Sequence, residues 1–359
     1  SINIGGDLMA SSGSFNTSAY SVRYLVFSWS IASQDIGNNR TTINWSLKAA
    51  GGSTTSWYKA GNFKVVINGS TVYETGQDDR ITLYGDTVVA TGQATIGHNS
   101  DGSKSFSASA EAGIYTYARN VSGSGSWSLT SIPRQANLTS APDFNDEQNP
   151  SIGYSNPAGN SVSNLDACIS LTGSRDDIVY RGISKTDSSY TFNLTEAERN
   201  VLRNACTTSN SRSVIFYVRT IIGGNTFYST ITKTLSIING NPTFSSSNIS
   251  YKDNNSTTTA VTGNNQQLVQ SLSDLLVTIT SATAKKGASI TKYDATINNV
   301  TRSITSAGNI DFGTINSSSD LTLSVKVTDS RGNTTTATKT VTFFSVVVAY
   351  CCNITKKKE

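Results

Sequence analysis

The chain has 359 residues, which exceeds the length that a single hydrophobic core usually supports and therefore predicts two or three domains. Only 14% of the residues are charged, and Ser, Thr and Asn take their place, so we expect a largely neutral surface rich in hydroxyl groups. The net charge of +4 comes from scattered basic residues with one dense run at Lys356–Lys358, which argues against a nucleic-acid partner.

The sequence also argues against a membrane, a metal ion and a cofactor. No apolar run reaches the roughly 18 residues of a membrane span, and the run Phe343–Tyr350 is far too short. Ser1 is a residue that removal of an initiator Met leaves exposed, and no signal-peptide pattern follows it, so we expect synthesis in a reducing cytosol. Four cysteines are too few and too oddly spaced for a disulfide framework or a zinc site: Cys168, Cys206, Cys351 and Cys352.

Residues 1–132 predict one all-β sandwich of jelly-roll type. Apolar and polar side chains alternate through Arg23–Ile31 and Thr41–Ala49, the period that places one set on a core face. Asn68-Gly69 separates two β-rich runs and predicts a type I′ hairpin, which needs two positive φ angles. A second hairpin is predicted around the turn 98–102, and Trp127 marks the last strand.

A proline-rich stretch at residues 133–157 predicts a linker and the start of a second domain, 133–240. This domain is predicted to be an immunoglobulin-like β-sandwich with one helix at about 196–206. Thr195 and Glu198 form a capping-box pattern at the start of that helix. The predicted strands are 165–171, 178–183, 190–194, 214–222 and 227–238.

Asn241-Pro242 predicts a boundary before a third, immunoglobulin-like domain at 241–345, with 346–359 as a tail. Residues 329–333 should form its last hairpin turn. The predicted strands are 275–280, 292–297, 301–305, 321–328 and 335–344. The predicted fold class is therefore all-β, with three consecutive sandwiches and one short helix.

Histidine chemistry offers little support for catalysis. His98 is the only histidine, and no G-x-S-x-G nucleophile motif is present, so a serine–histidine triad has no basis. We expect His98 to be an exposed turn residue. Asn99, Asp101 and Ser103 resemble alternating calcium ligands, but Lys104 follows where a loop of that kind needs more oxygen ligands, so a turn is favoured and no metal is predicted.

Clustered carboxylates keep one enzymatic alternative open. Glycoside hydrolases need two carboxylates at a fixed separation. Three clusters are present, all in predicted loops: Asp78-Asp79, Asp143 with Asp146-Glu147, and Asp176-Asp177. We interpret them as solvated loop charge and predict that the chain is not an enzyme, with a cell-wall glycoside hydrolase as the alternative.

All four tryptophans lie in the first 127 residues, which directs the search for a binding site to the first domain. Trp29, Trp45 and Trp127 are in phase with neighbouring apolar residues and are predicted to lie in the core. Trp57 and Tyr58 follow a Gly- and Ser-rich stretch, and two adjacent aromatics cannot both face one core. We predict that their loop contacts saccharide, since sugars bind to exposed aromatic faces beside neutral polar groups.

Four segments of the sequence resemble a known family: residues 92–106, 127–136, 194–204 and 327–333. They are similar to minor tail structural proteins of long-tailed, siphovirus-type phages of Gram-positive bacteria. The resemblance covers most of residues 1–345 and brings no catalytic residues with it. It implies a virion component at or near the tail tip or baseplate, which is assembled in the host cytoplasm and carries immunoglobulin-like domains suited to surface attachment.

The expected function is therefore attachment of the phage tail to host cell-wall polysaccharide, with other tail proteins as partners. A collar, whisker or other decoration protein of the virion is the structural alternative. Sheet edges rich in Thr and Val, with few lysines to guard them, favour pairing between chains. Since virions impose rotational symmetry, we expect a homo-oligomer, either a trimer or a ring.

Overall fold

A computed structural model describes residues 9–172 and 177–344 and shows an all-β protein with three β-sandwich domains, which confirms the predicted fold class. Each domain has its own hydrophobic core. The three cores draw on residues 25–129, 136–237 and 244–343. Residues 346–359, the predicted tail, lie outside the described residues.

The first domain packs two antiparallel sheets face to face. Its strands are β1 Ser12–Asn16, β2 Tyr24–Asp35, β3 Arg40–Ala50, β4 Trp57–Ile67, β5 Ser70–Glu74, β6 Ile81–Tyr84, β7 Val88–Gly97, β8 Ser105–Ile114 and β9 Val121–Ser128. One sheet has the order β1-β2-β3-β7. The other has the order β5-β4-β8-β9, and β6 pairs with the beginning of β4.

Tryptophans form much of the first core, as the strand period predicted. Trp29 and Trp45 are opposite each other on β2 and β3 and are buried, which confirms their predicted positions. Trp127 is half-buried, with its ring centroid 5.5 Å from that of Trp29. Gly13 of β1 lies directly against these rings, because a Cβ there would approach Trp127 Nε1 to 2.4 Å. A side chain at position 13 would therefore push β1 off the sheet.

The two predicted hairpins of the first domain have different outcomes. Asn68 and Gly69 have φ angles of 50° and 80°, which agrees with the predicted type I′ turn between β4 and β5. The hairpin predicted around residues 98–102 is wrong, because β7 pairs with β3 whereas β8 pairs with β4 and β9. That turn instead carries the chain from one sheet to the other. Alternation identifies strands, but it does not identify their partners.

The second domain contains eight strands and one helix. They are β10 Asn137–Ser140, β11 Phe144–Asn145, β12 Ser151–Ser155, β13 Asn164–Ser170, β14 Asp177–Gly182, β15 Ser189–Thr191, α1 Glu196–Asn204, β16 Ser211–Ile222 and β17 Asn225–Ser236. The third domain has the same number of strands. They are β18 Ile249–Asp253, α2 Ser256–Thr262, β19 Gln267–Val269, β20 Asp274–Ile279, β21 Ile290–Ile297, β22 Val300–Ile304, β23 Gly308–Thr314, β24 Leu321–Asp329 and β25 Thr334–Phe344.

The second and third domains share one strand arrangement. In the second, β10-β12-β15 form one sheet and β11-β17-β16-β13-β14 form the other. In the third, the sheets are β18-β20-β23 and β19-β25-β24-β21-β22, so each strand number is raised by eight. In both, one parallel pair, β11 with β17 and β19 with β25, stands among antiparallel neighbours. These domains are thus a structural repeat with immunoglobulin-like layout.

Each of the two α-helices begins at a residue whose side chain caps the first turn. The capping box at α1 is present, since Thr195 Oγ1 accepts from the Glu198 N–H and Glu198 Oε2 accepts from the Thr195 N–H. Helix α2 was not predicted, because its Ser and Thr residues have low helix propensity. Asn255 caps its first turn, and Gly263, with a φ of 65°, ends it. In the described ranges no helix has the length and apolarity needed to cross a membrane.

A fully buried carboxylate, Asp146, ties the second domain to the third. Its Oδ2 lies 2.6 Å from Arg203 Nε in α1 and 2.8 Å from Lys286 Nζ of the third domain. Its Oδ1 accepts from the Ile238 N–H at 3.0 Å, in the linker. The interpretation of Asp146 as solvated loop charge is therefore wrong. A buried carboxylate is tolerated when it is paired and hydrogen-bonded, as it is here.

Arg331 reinforces the same junction from the hairpin turn after β24. Its guanidinium donates to the carbonyl oxygens of Cys206 at 2.5 Å and Arg203 at 3.0 Å, both in the second domain. It also donates to the carbonyl oxygen of Lys285 in its own domain at 3.1 Å. Ser330 Oγ adds a bond to a second-domain carbonyl, that of Thr207. These contacts fix the second and third domains against each other.

The first domain is joined to the second by an apolar contact. The side chain of Ile36, in the turn between β2 and β3, packs against the second core. A Cβ on Gly223 would lie 2.6 Å from Ile36 Cδ1, and the positive φ of 53° at Gly223 also favours glycine there. Arg134 Nη1 donates to the Ile36 carbonyl at 2.9 Å and holds the turn in place.

Replacing Asp146 by Asn should lower the free energy of unfolding by about 1–3 kcal/mol, because Arg203 and Lys286 would keep only the more exposed Glu196 and Glu147 as counter-charges. Burial raises the pKa of Asp146, but hydrogen bonds from Lys286, the Ile238 N–H and Arg203 outweigh it and hold the pKa below its ordinary value. The stabilisation is therefore full above the unfolded pKa, near 4, and is lost as pH falls through the lower folded pKa. Denaturant unfolding across pH 2–7 measures both effects.

The control is Asp187→Asn, which changes an exposed carboxylate of the second domain. It should leave stability within about 0.5 kcal/mol of the parent chain. Equal stabilities of the Asp146→Asn variant and the parent at pH 7 would contradict the assignment of Asp146 as the junction's buried counter-charge.

Candidate functional site

The structure separates the two residues of the predicted saccharide site. Trp57 and Tyr58 begin strand β4, so their predicted placement in a loop is wrong. Trp57 is 54% exposed, whereas Tyr58 is fully buried in the first core. Successive residues of a strand face opposite sides of the sheet. Trp57 therefore remains available to a ligand, and Tyr58 does not.

Tyr58 is a core residue with a polar end. Its strand partner on the buried face is Leu83 of β6. Burial raises the pKa of the Tyr58 hydroxyl to about 12, and the nearby Arg23 opposes part of that shift. The Arg23 guanidinium lies 5.3 Å from the ring centroid. Tyr58 thus stays neutral and supports the residues around Trp57.

Trp57 belongs to a larger exposed group that we call the aromatic surface. Its five residues are between 42% and 55% exposed: Tyr20, Trp57, Tyr84, Tyr115 and Tyr117. Trp57 of β4 and Tyr84 of β6 are directly opposite in the antiparallel pairing, so both side chains stand on the same outer face. The Tyr115 hydroxyl donates to the Trp57 carbonyl at 3.1 Å.

A tight turn places Tyr20 at this surface. The backbone groups of Tyr20 and Arg23 exchange hydrogen bonds of 2.8 and 3.1 Å, and Ser21 between them has a φ of 55°. Gly51 closes against the turn, because a Cβ there would lie 1.7 Å from the Val22 carbonyl oxygen. The Tyr20 and Tyr115 ring centroids are consequently 6.3 Å apart.

The segment after β8 supplies the other two tyrosines. Asn120 holds it by accepting from the Ile114 N–H at 2.8 Å and donating to the Ile114 carbonyl at 3.0 Å. The chain then folds back over Gly113, where a Cβ would lie 2.7 Å from the carbonyl oxygen of Ala118. Tyr115 and Tyr117 are thereby presented outward instead of continuing the strand.

Two arginines lie on the rings of the aromatic surface. The Arg23 guanidinium is 5.7 Å from the Tyr115 ring centroid, in addition to its contact with Tyr58. The Arg80 guanidinium is 4.4 Å from the Tyr117 ring centroid, within the range of a cation–π contact. Lys59 stands opposite Thr82 on the same outer face as Trp57. The surface therefore combines aromatic faces with positive charge.

Apart from the aromatic surface, the first domain has a groove on the outer face of the sheet formed by β1, β2, β3 and β7. It has a volume of about 540 Å³ and a lining of small hydroxyl and amide side chains: Ser28, Ser30, Asn44, Ser46, Thr91 and Gln93. Asn44 and Gln93 already bond to each other at 2.9 Å. The indoles of Trp29 and Trp45 are buried, so this groove offers polar groups without an exposed ring for stacking.

Both ring nitrogens of His98 form hydrogen bonds within the first domain. Its Nδ1 lies 2.7 Å from the Gly102 carbonyl, and its Nε2 lies 2.7 Å from Thr41 Oγ1. A carbonyl only accepts, so Nδ1 carries the proton and Nε2 accepts from the hydroxyl. The expectation of an exposed residue is wrong, since His98 is half-buried and pins the turn between the sheets. Asp101 accepts from the Ser103 N–H and hydroxyl, which agrees with the predicted turn.

Two further carboxylates of the predicted clusters accept hydrogen bonds from backbone N–H groups. Asp143 accepts from the Thr234 N–H at 2.7 Å, and Asp79 accepts from the Gly76 N–H at 2.8 Å. Asp176 lies outside the described residues. Within residues 9–172 and 177–344, no group of three or more His, Cys, Asp and Glu is placed to hold a metal ion.

Sequence reasoning missed four of the five residues of the aromatic surface. A signal for Tyr84 was its position next to Leu83, since alternation with a core residue predicts an outward side chain. Tyr115 and Tyr117 alternate beyond the apolar Ile114 in the same way. Tyr20 had no such signal, because only the turn around Ser21 brings it to this surface.

The sequence profile of one protein family, described as siphovirus protein of unknown function (DUF859), matches residues 9–354. This match confirms the resemblance to siphovirus proteins. No curated protein matches the chain.

Several solved structures of β domains are similar to this chain at low sequence identity. Fibronectin(III)-like modules of Clostridium thermocellum CbhA have 12% identity and a TM-score of 0.23, covering 59% of this chain and 94% of theirs. The FN1-FN3 domains of chicken CNTN1 have 12% identity and a TM-score of 0.25, covering 87% and 97%. A tetra-tandem repeat from the extending region of a large adhesion protein has 12% identity and a TM-score of 0.34, covering 90% and 82%.

Alanine substitutions should separate the roles of the two adjacent aromatics. Tyr58→Ala should cost about 3–5 kcal/mol of unfolding free energy, as for other large buried side chains. Trp57→Ala should change it by no more than about 0.5 kcal/mol, because the indole is mostly exposed. Chemical denaturation followed by circular dichroism measures both. A loss of several kcal/mol for Trp57→Ala would show that Trp57 is part of the core.

Proposed function

We propose a role in host attachment for this chain, which belongs to the siphovirus protein family described above. The aromatic surface of the first domain binds saccharide of the host cell wall, and the chain acts as part of the phage tail tip or baseplate. The observation that carries the proposal is the exposure of Trp57, Tyr84 and three further tyrosines at one end of a single domain. Exposed apolar surface of this kind marks interaction sites in soluble proteins.

The chemistry of the aromatic surface suits a sugar. The C–H groups of a sugar ring pack on an aromatic face, while hydroxyl groups need polar partners that fix orientation. The segment before Trp57 supplies hydroxyls that are held by each other, since Ser53 Oγ lies 2.9 Å from Thr55 Oγ1 and 3.2 Å from Ser56 Oγ. Trp57 and Tyr84 supply the adjoining faces on neighbouring strands.

The two repeated domains suit a stiff support for such a site. The Asp146 and Arg331 contacts fix the second and third domains together, and Ile36 seats the first domain on the second. A rigid support keeps the aromatic surface in a constant orientation. We propose that the other tail proteins are the partners of this support, and that the chain joins the virion during assembly in the host cytoplasm.

Weak sites become useful when several copies act together. A single stacking contact contributes about 0.5–1.5 kcal/mol beyond burial, which gives low affinity for each copy. Linked copies raise the overall affinity through effective concentration. The proposed trimer or ring would supply them, with unpaired sheet edges as the contacts between chains.

We propose that this role is not enzymatic. The alternative, a cell-wall glycoside hydrolase, would release reducing sugar from purified host walls and lower their turbidity. Incubation of walls with the full chain should produce neither change, and sugar release would overturn the proposal. The other alternative, a collar or whisker protein, is separated by immunogold labelling of intact particles, which should mark the distal end of the tail.

Removing the exposed rings should abolish attachment without unfolding the protein. The double variant Trp57→Ala with Tyr84→Ala should bind purified host cell walls at least tenfold more weakly in a sedimentation assay, because both stacking faces are lost. Phe344→Ala is the matched control, since Phe344 is an aromatic residue of the third domain that is 49% exposed. Unchanged wall binding by the stable double variant would refute the site.

The proposed oligomer has its own test. Light scattering across the micromolar range should give a mass equal to a small whole multiple of 38.1 kDa. A mass of one chain at every concentration would contradict self-association of the isolated protein.

A further inference from the structure

Side-chain hydrogen bonds distinguish the arginines of the aromatic surface from most others. Twelve arginines lie among the described residues, and nine of them donate side-chain hydrogen bonds to the protein. Within the described part of the chain, Arg23, Arg80 and Arg302 are the exceptions. Two of these three lie on the aromatic surface. Arg302 is in the third domain, 5.9 Å from the Phe312 ring centroid.

Both arginines of the aromatic surface have side-chain N–H donors without a hydrogen-bond acceptor. Nε of Arg23, and Nε and Nη2 of Arg80, are buried without a hydrogen-bond partner. A guanidinium has five N–H donors and stays charged, and contact with a ring face satisfies its charge without accepting its hydrogen bonds. Leaving buried donors unpaired is costly.

The acidic residues near Arg80 do not neutralise it. Asp78 and Asp79 precede it in sequence, yet neither forms an ion pair with it among the described residues, and the Asp79 carboxylate is bonded to the Gly76 N–H. Lys59, beside Trp57 on the outer face, likewise forms no ion pair within the described ranges. By contrast, Arg119 nearby is paired with both Glu74 and Glu111. Among the described residues, Arg80 and Lys59 therefore have no carboxylate partner.

We propose that the ligand of the aromatic surface is an acidic glycan, a sugar polymer that carries phosphate or carboxylate groups. This inference rests on the proposed attachment function and specifies its ligand. The sugar faces pack on Trp57 and Tyr84, while the anionic groups accept hydrogen bonds from Arg80 and Lys59. Guanidinium groups match phosphate and carboxylate oxygens in a bidentate manner, which makes these charge-assisted bonds strong and directional.

The experiment measures sedimentation of the full chain with purified host cell walls over a range of salt concentrations. Arg80→Gln and Lys59→Gln should each weaken binding by about tenfold at low salt, because each removes a charge-assisted contact. The loss should shrink at about 0.5 M salt, where charge interactions are screened. Arg302→Gln, the matched control, should bind like the parent chain. Thermal unfolding of each variant establishes that it is folded.

Walls stripped of phosphodiester-linked polymers by cold hydrofluoric acid identify the anionic group. Loss of binding to stripped walls assigns a phosphate-bearing glycan, and retained salt-sensitive binding assigns a carboxylate-bearing one; both support the acidic ligand. If the charge variants and salt change nothing while Trp57→Ala with Tyr84→Ala abolishes binding, the ligand is neutral and this inference is overturned, although attachment stands. If neither the aromatic nor the charge variants lose binding, both the inference and the proposed function fail.

Discussion

The buried Asp146 carboxylate couples the second domain to the third. Its three partners come from helix α1, the interdomain linker and the third domain, so they meet only when the second and third domains are docked. A buried charge without partners would cost several kcal/mol. The domain arrangement is therefore coupled to the folding of each domain. Arg203 lies in the last turn of α1, the helix that this capping box starts.

Two arginines of the first domain, Arg23 and Arg80, differ from the bonded cations of this junction. Arg203, Lys286 and Arg331 are bonded within the protein, whereas Arg23 and Arg80 rest on aromatic rings with their donors unused. Internal bonding stabilises the junction and leaves nothing for a ligand. Three guanidinium nitrogens of the first domain, Arg23 Nε and Arg80 Nε and Nη2, have no hydrogen-bond partner among the described residues.

Sequence patterns predicted elements better than their contacts. The strands around Trp29 and Trp45, the Asn68-Gly69 turn and the cap of α1 depend on local spacing, and the structure has them as predicted. Strand partners depend on distant residues, so the hairpin between β7 and β8 was predicted wrongly. Asp146 was predicted to be a solvated loop charge because its partners lie 57 and 140 positions away in the sequence. Trp57 and Tyr58 were predicted to lie together in a loop, but both begin β4, where strand alternation turns Trp57 outward and Tyr58 inward.

Hydroxyl-radical footprinting tests the central claim, that the aromatic surface is where this protein meets the host wall. Exposed tyrosines and tryptophans are oxidised, and a ligand protects those that it covers. Addition of host walls should protect Trp57, Tyr84 and the Tyr115–Tyr117 segment, and leave the exposed Tyr180 of the second domain unchanged. Protection confined to Tyr180 or to other residues outside the first domain, or no protection under conditions in which the chain binds walls, would contradict the account.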